Sequence, residues 1–107
     1  MRTGIFLFGG VEMDDAGAGL PAPTDRRYDN AAVWHATERI LDMGVLADDL
    51  GFDSFWLTEH HFLEEYCHST APEMFLAAAS QRTENIRLGF GVMPLLPNIN
   101  PPARIAE

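Results

Sequence analysis

Short apolar runs alternate with helical patterns along this chain, and that alternation restricts the fold more than any single motif does. Thr3–Phe8 (TGIFLF) is a brief apolar run that ends at Gly9-Gly10, as a strand covered on both faces would. Asp53–Thr58 (DSFWLT) and Ile86–Met93 (IRLGFGVM) are two more such runs, and the glycines of the third predict a bulge or a close backbone approach. Between the first two, Val33, Ile40, Met43, Ala47 and Leu50 recur at helical spacing, with Trp34, Leu41 and Val45 beside them. Asp29 or Asn30 can cap that helix, and Gly51 stands where a left-handed residue is expected after its end. Ser69 or Thr70, followed by Pro72 and Glu73, predicts a second helix reaching about Gln81, with Met74 and Phe75 in its packed face. Asn100-Pro101 predicts the start of a third helix, and Glu107 falls inside its first turn.

The order is strand, helix, strand, helix, strand, helix start. Crossovers of this kind make strands parallel, in either an open doubly wound sheet or a closed barrel. An open dinucleotide-binding sheet wants G-x-G-x-x-G directly after the first strand, and Gly9-Gly10 does not supply it. A barrel wants about 250 residues, and the chain has 107. The expectation is therefore an α/β fold consisting of the first three β/α units of a (β/α)8 TIM barrel, truncated. Residues 1–107 form one incomplete domain on this reading, with a long flexible loop over 9–28 that is rich in Gly, Pro, Ala and Asp. Three parallel strands leave unpaired edges, which predicts a homo-oligomer.

Charge and composition exclude several functions. The formal net charge is −9 and all seven cations are arginines, so phosphate backbones are repelled and nucleic acid is not an expected partner. No apolar run approaches the roughly 20 residues that span a bilayer, so no membrane partner is expected. A lone cysteine, Cys67, allows no internal disulfide and points to a reducing cytoplasm. Nothing marks that thiol as activated, and it reads as an inert loop residue. Trp34 and Trp56 read as packing residues.

The chemistry-bearing residues follow the second strand: Glu59-His60-His61, then Glu64, Glu65 and His68. In a barrel that edge carries the active site, and a histidine there can move protons near neutral pH. By themselves the same residues also read as a solvated loop. His60, Glu64 and His68 are spaced four apart, as zinc ligands on one helical face could be. The spacing is not H-E-x-x-H and no CxxC accompanies it, so no metal is expected.

Gly51-Phe52-Asp53-Ser54-Phe55-Trp56-Leu57-Thr58-Glu59-His60-His61-Phe62 resembles the second-strand segment of bacterial luciferase and its relatives, where a GFD-x-x-W-x-x-EHHF pattern recurs. Gly4-Ile5-Phe6 is similar to the first strand of that family. Asn85 to Glu107 is similar to its third strand and the following loop, including the Leu-Pro and the Pro-x-Arg helix start. The likeness covers almost everything except Gly9–Arg27. It implies a flavin-dependent monooxygenase that takes reduced FMN from a separate flavin reductase and uses dioxygen to oxidise an aldehyde or another small organic substrate. It makes His60 the acid/base, with His61 beside it, and sets Glu59 and His61 in the flavin pocket. Phe6 matches a flavin-facing aromatic. Gly91-Val92 matches a third-strand bulge that presses on the flavin and often holds a non-proline cis peptide; the glycine alone reads as an ordinary bulge. The family's phosphate-holding groups come from later strands, so this chain alone is expected to bind flavin weakly or not at all. Two other readings stand beside it: a deazaflavin-dependent hydride-transfer oxidoreductase on the same barrel, and a non-catalytic fragment stabilised by oligomerisation.

Overall fold

The computed structural model describes residues 1–11, 28–62 and 67–106. Their elements are β1 (Gly4–Leu7), α1 (Asn30–Asp49), β2 (Ser54–Thr58), α2 (Pro72–Ser80), β3 (Arg87–Val92) and α3 (Pro102–Ala106). The three strands make one parallel sheet in the order β1-β2-β3. The alternation and the parallel pairing are both as expected. Most of the 9–28 loop lies outside the described residues, as do Glu64 and Glu65. The loop's first residues are packed: Gly9 and Val11 are buried, and the Gly10 carbonyl accepts from the Arg39 guanidinium at 2.9 Å. No helix of the described residues is long and apolar enough to cross a membrane.

Local chemistry sets the element ends. Asp29 is extended, and its carboxylate accepts the Ala32 N–H at 2.9 Å, which satisfies one of the orphan donors of α1. Gly51, at φ 77°, then reverses the chain in the left-handed region where a Cβ is penalised. The expected Ser69 or Thr70 cap of α2 is not used. Ala71 holds the cap position without a side-chain bond, and Pro72 begins the helix with no N–H to satisfy. The Ser69 carbonyl instead accepts the His60 N–H at 3.2 Å, so this segment braces the exit of β2.

Two aspartates tie the elements together. The Asp53 carboxylate accepts the Thr3 N–H at 2.6 Å, and its own N–H bonds the Thr3 carbonyl at 2.9 Å, which locks the starts of β1 and β2. Asp48, near the end of α1, accepts the N–H groups of Glu84, Asn85 and Ile86 just before β3. Those donors, the Glu84 N–H foremost, favour the ionised carboxylate and hold its pKa below the usual 3.8 against an opposing pull from desolvation.

The core sits on one face of the sheet. Ile40 and Ala47 of α1, Phe55 and Leu57 of β2, Leu76 of α2 and Ile86 pack together, with Ile5, Leu7, Met43, Phe52, Phe75 and Leu88 around them. Ala36, Ile40, Gly44 and Ala47 form the buried stripe of α1. A Cβ on Gly44 would lie 3.3 Å from the Phe55 ring, so the missing side chain lets helix and strand approach. Two residues expected to pack do not: Trp34 is 61% and Met74 68% exposed. Helical spacing places both beside the buried stripes, but no described layer lies over them. Leu50, expected on the inner face of α1, is likewise exposed, because it sits at the cap where the chain turns away.

Trp56 packs, though not in that core. It alternates with Phe55 and Leu57, so it lies on the opposite face, above Gly89. A Cβ on Gly89 would come within 2.7 Å of the indole.

Candidate active site

Parallel strands bring their carboxyl ends to a single edge, and the residues singled out above gather there. Phe6 belongs to β1 and Phe8 follows it. Glu59, His60 and His61 follow β2, and Gly91 and Val92 close β3. The edge is knitted by the Glu59 N–H, which donates to the Val92 carbonyl at 2.8 Å.

The expected bulge is present. Leu57 is paired with Phe90 and Thr58 with Val92, which leaves Gly91 as the extra residue. A Cβ at Gly91 would overlap the Phe6 ring, so Phe6 reaches over the edge to the bulge and any side chain there would displace it. The peptide bonds there are trans. The cis peptide implied by the resemblance is not found, because the extra residue alone produces the change of register.

His60 is half-buried, and its ring stacks on Phe8 with centroids 6.1 Å apart and planes 14° from parallel. Phe8 in turn meets Phe6 edge-on at 4.9 Å. The imidazole is thereby part of an aromatic row rather than a freely solvated loop residue. His61 points differently. Its Nε2 lies 2.7 Å from Glu59 Oε1, and its side chain is 39% exposed. Glu59 itself is only 5% exposed. A buried carboxylate must be partnered on both oxygens, and Oε2 accepts from the Asn100 amide at 3.0 Å. Phe62, immediately after, has φ 60° and is fully exposed, a conformation that costs a non-glycine residue about 1–2 kcal/mol. Such strain tends to gather beside functional groups.

Asn100 is the residue that sequence reasoning assigned only to a helix start. It is 6% exposed and joins the loop after β3 to Glu59, 41 positions away in sequence. No local pattern marks such a contact.

Cys67 is buried, and that burial raises its thiol pKa, in keeping with an inert residue. The His60, Glu64, His68 spacing includes Glu64, which lies outside the described residues. Among the described residues no three His, Cys, Asp or Glu side chains converge as a metal site. A cavity of 310 Å³ lies on the helix side of β3, lined by Glu73, Phe90, Met93, Asn100, Arg104 and Ile105. Phe90 faces the same way as Leu57, and Asn100 joins this cavity's lining to Glu59, the partner of His61.

A family profile described as luciferase-like monooxygenase matches residues 1–107. The chain is similar to limonene 1,2-monooxygenase of Rhodococcus erythropolis, with 43% identity over 72 residues, which is 60% of this chain and 18% of that protein. It is similar to the alkanal monooxygenase alpha chain of Photobacterium phosphoreum, at 31% over 70 residues, 65% of this chain and 19% of that protein. It is also similar to F420-dependent glucose-6-phosphate dehydrogenase of Microbacterium testaceum, at 36% over 56 residues, 50% of this chain and 17% of that protein. The matched segment spans less than a fifth of each of these relatives.

Proposed function

The chain belongs to the luciferase-like monooxygenase family, and from that membership we propose that it carries the ring-binding and proton-handling edge of an enzyme that oxidises an aldehyde or another small organic substrate with reduced FMN and dioxygen. The observation that carries this reading is the convergence of Glu59, His60 and His61 with the Phe6–Gly91 contact at one sheet edge. In this reading the three parallel strands are a wall of a (β/α)8 barrel, whose reacting groups lie at the carboxyl ends of its strands.

The edge suits the ring of FMN. Isoalloxazine is flat and largely apolar with a polar rim. Phe6 and Trp56 leave 45% and 41% of their surface uncovered on the face away from the helices. Gly91 adds no side chain that would hold a flat ring off the backbone, and the His60 imidazole, stacked on Phe8, stands at the same strand ends. Phe6, Gly91 and Val92 would hold the ring, with Glu59 behind. Reduced FMN would supply the electrons that activate dioxygen, and a flavin reductase is its proposed source. His60 would give or take the proton at the reacting centre, from a ring whose plane is set by Phe8. Arg39 and Arg104 are engaged by the Gly10 carbonyl and Glu73, and no described residue is proposed as the holder of the phosphate.

A deazaflavin hydride-transfer enzyme is the second reading, favoured by the similarity to the F420-dependent dehydrogenase. Oxygen uptake by the intact protein separates the two. We expect uptake coupled to substrate oxidation with reduced FMN, and none above background with a reduced deazaflavin. Hydride transfer between a substrate and a deazaflavin, in either direction and without oxygen uptake, would reverse the assignment.

A further inference from the structure

We propose that Asn100 is a positioning residue that orients the Glu59 side chain, so that the group Glu59 presents to His61 sets which imidazole nitrogen carries the proton. This inference deepens the function proposed above and rests on it for its catalytic consequence. The amide nitrogen of Asn100 lies 3.0 Å from Glu59 Oε2 and 3.0 Å from the Pro94 carbonyl. Both neighbours are acceptors, so the amide has a single orientation, with its NH2 between them. Glu59 Oε2 is thereby occupied, and Oε1 is left toward His61 Nε2 at 2.7 Å. A carboxylate can only accept, so neutral His61 must carry its proton on Nε2. Its Nδ1 is then the lone-pair nitrogen, on a ring that is 39% exposed.

The arrangement repeats the logic of a base oriented by a third group. It adds one outer member, because the carboxylate is itself held by a buried amide. Asn100 and Glu59 are 6% and 5% exposed, so water competes little for either link. The Pro94 contact anchors the amide to the exit of β3, so the carboxylate that faces His61 is held by the loop that follows the bulge.

Glu59→Gln provides the test. Asn100 would hold the carbonyl oxygen of the substituted side chain toward itself, so that the new NH2 faces His61. Nitrogen-resolved imidazole spectra of the intact, cofactor-free protein would then show the His61 proton moved from Nε2 to Nδ1. The His61 signals are identified by their loss in His61→Gln. Adding Asn100→Ala frees the substituted amide to turn over, and the proton should return toward Nε2. In turnover with reduced FMN, Glu59→Gln should lower kcat, by no more than the roughly 10²–10⁴-fold that a positioned acid or base contributes, with KM little changed. A proton that stays on Nε2 in Glu59→Gln, or that is indifferent to Asn100→Ala, would overturn the proposal. If the wild-type protein shows no turnover with reduced FMN, the functional reading fails, while the spectra still decide the role of Asn100. Should Asn100→Ala not fold, Asn100→Ser removes the same amide with a smaller loss of polarity and is read in the same way.

Discussion

Replacing His60 by asparagine is expected to lower kcat by about 10²–10⁴-fold, the range that a positioned general acid or base contributes, while the melting temperature stays near that of the wild type. The two effects separate because the backbone and the ring of His60 do different work. Its N–H donates to the Ser69 carbonyl at 3.2 Å, a bond that any residue but proline retains. Its ring stacks on Phe8 at 6.1 Å in a half-buried position, and an asparagine amide can occupy much of the same volume. What asparagine cannot do is exchange a proton near neutral pH. The loss should fall on kcat, with KM for the organic substrate changed by less. His35→Asn is the matching control, on a side chain of α1 that is 78% exposed and far along the chain from the strand ends; it should leave turnover unchanged. Steady-state rates for the three proteins check the prediction, and full turnover by the His60 variant would remove the role assigned to it.

Phe55→Ala should have the largest effect on stability, a loss of about 3–5 kcal/mol. Phe55 is completely buried, and it stands at the centre of the core between α1 and α2. Gly44 lies against its ring, and a Cβ there would already be 3.3 Å away. The helix backbone rests on that ring at Gly44, so deleting the ring opens a gap that only a shift of the whole helix could close. What relaxation leaves unfilled is a cavity, and its cost adds to the lost transfer energy. Against a typical domain stability of about 5–15 kcal/mol, that loss is a large fraction. Trp56→Ala makes the comparison sharp. It removes a bigger ring from the neighbouring position, but one that is partly exposed on the other face, and it should cost distinctly less. Denaturant titrations of both variants provide the measurement.

The period of the apolar residues made most of the fold legible before any coordinates. Alternation along Phe55, Trp56 and Leu57 separates the two faces of β2, and the four-residue steps of α1 identify the side that meets them. Caps were legible where one side chain decides them. Asp29 can reach a helix N–H, and Gly51 can take a positive φ. They were not legible at α2, where Ser69 and Thr70 look suitable but the chain enters the helix at Ala71 and spends the Ser69 carbonyl on His60. Trp34 and Met74 show a second limit. A helical period says which residues share a side, but whether another layer covers that side is a tertiary fact.

The site divides in the same way. Glu59, His60 and His61 were readable because they are contiguous and follow a strand, and Gly91 because glycine inside a strand implies a bulge or a close neighbour. The neighbour proved to be Phe6, from the far strand of the sheet. Asn100 was not readable as a partner of Glu59. Its two hydrogen bonds depend on how the loop after β3 folds back over the strand ends, and nothing within a few residues of it reports that path.

Every role assigned at these strand ends depends on where the flavin ring lies, and a crystal structure of the intact protein with FMN measures that directly. We expect isoalloxazine on the face that bears Phe6 and Trp56, against the Gly91-Val92 bulge, with a His60 ring nitrogen within about 3 Å of a ring atom or of one bridging water. FMN bound in the cavity beside Phe90 on the helix side of the sheet, or anywhere beyond reach of that imidazole, would contradict it.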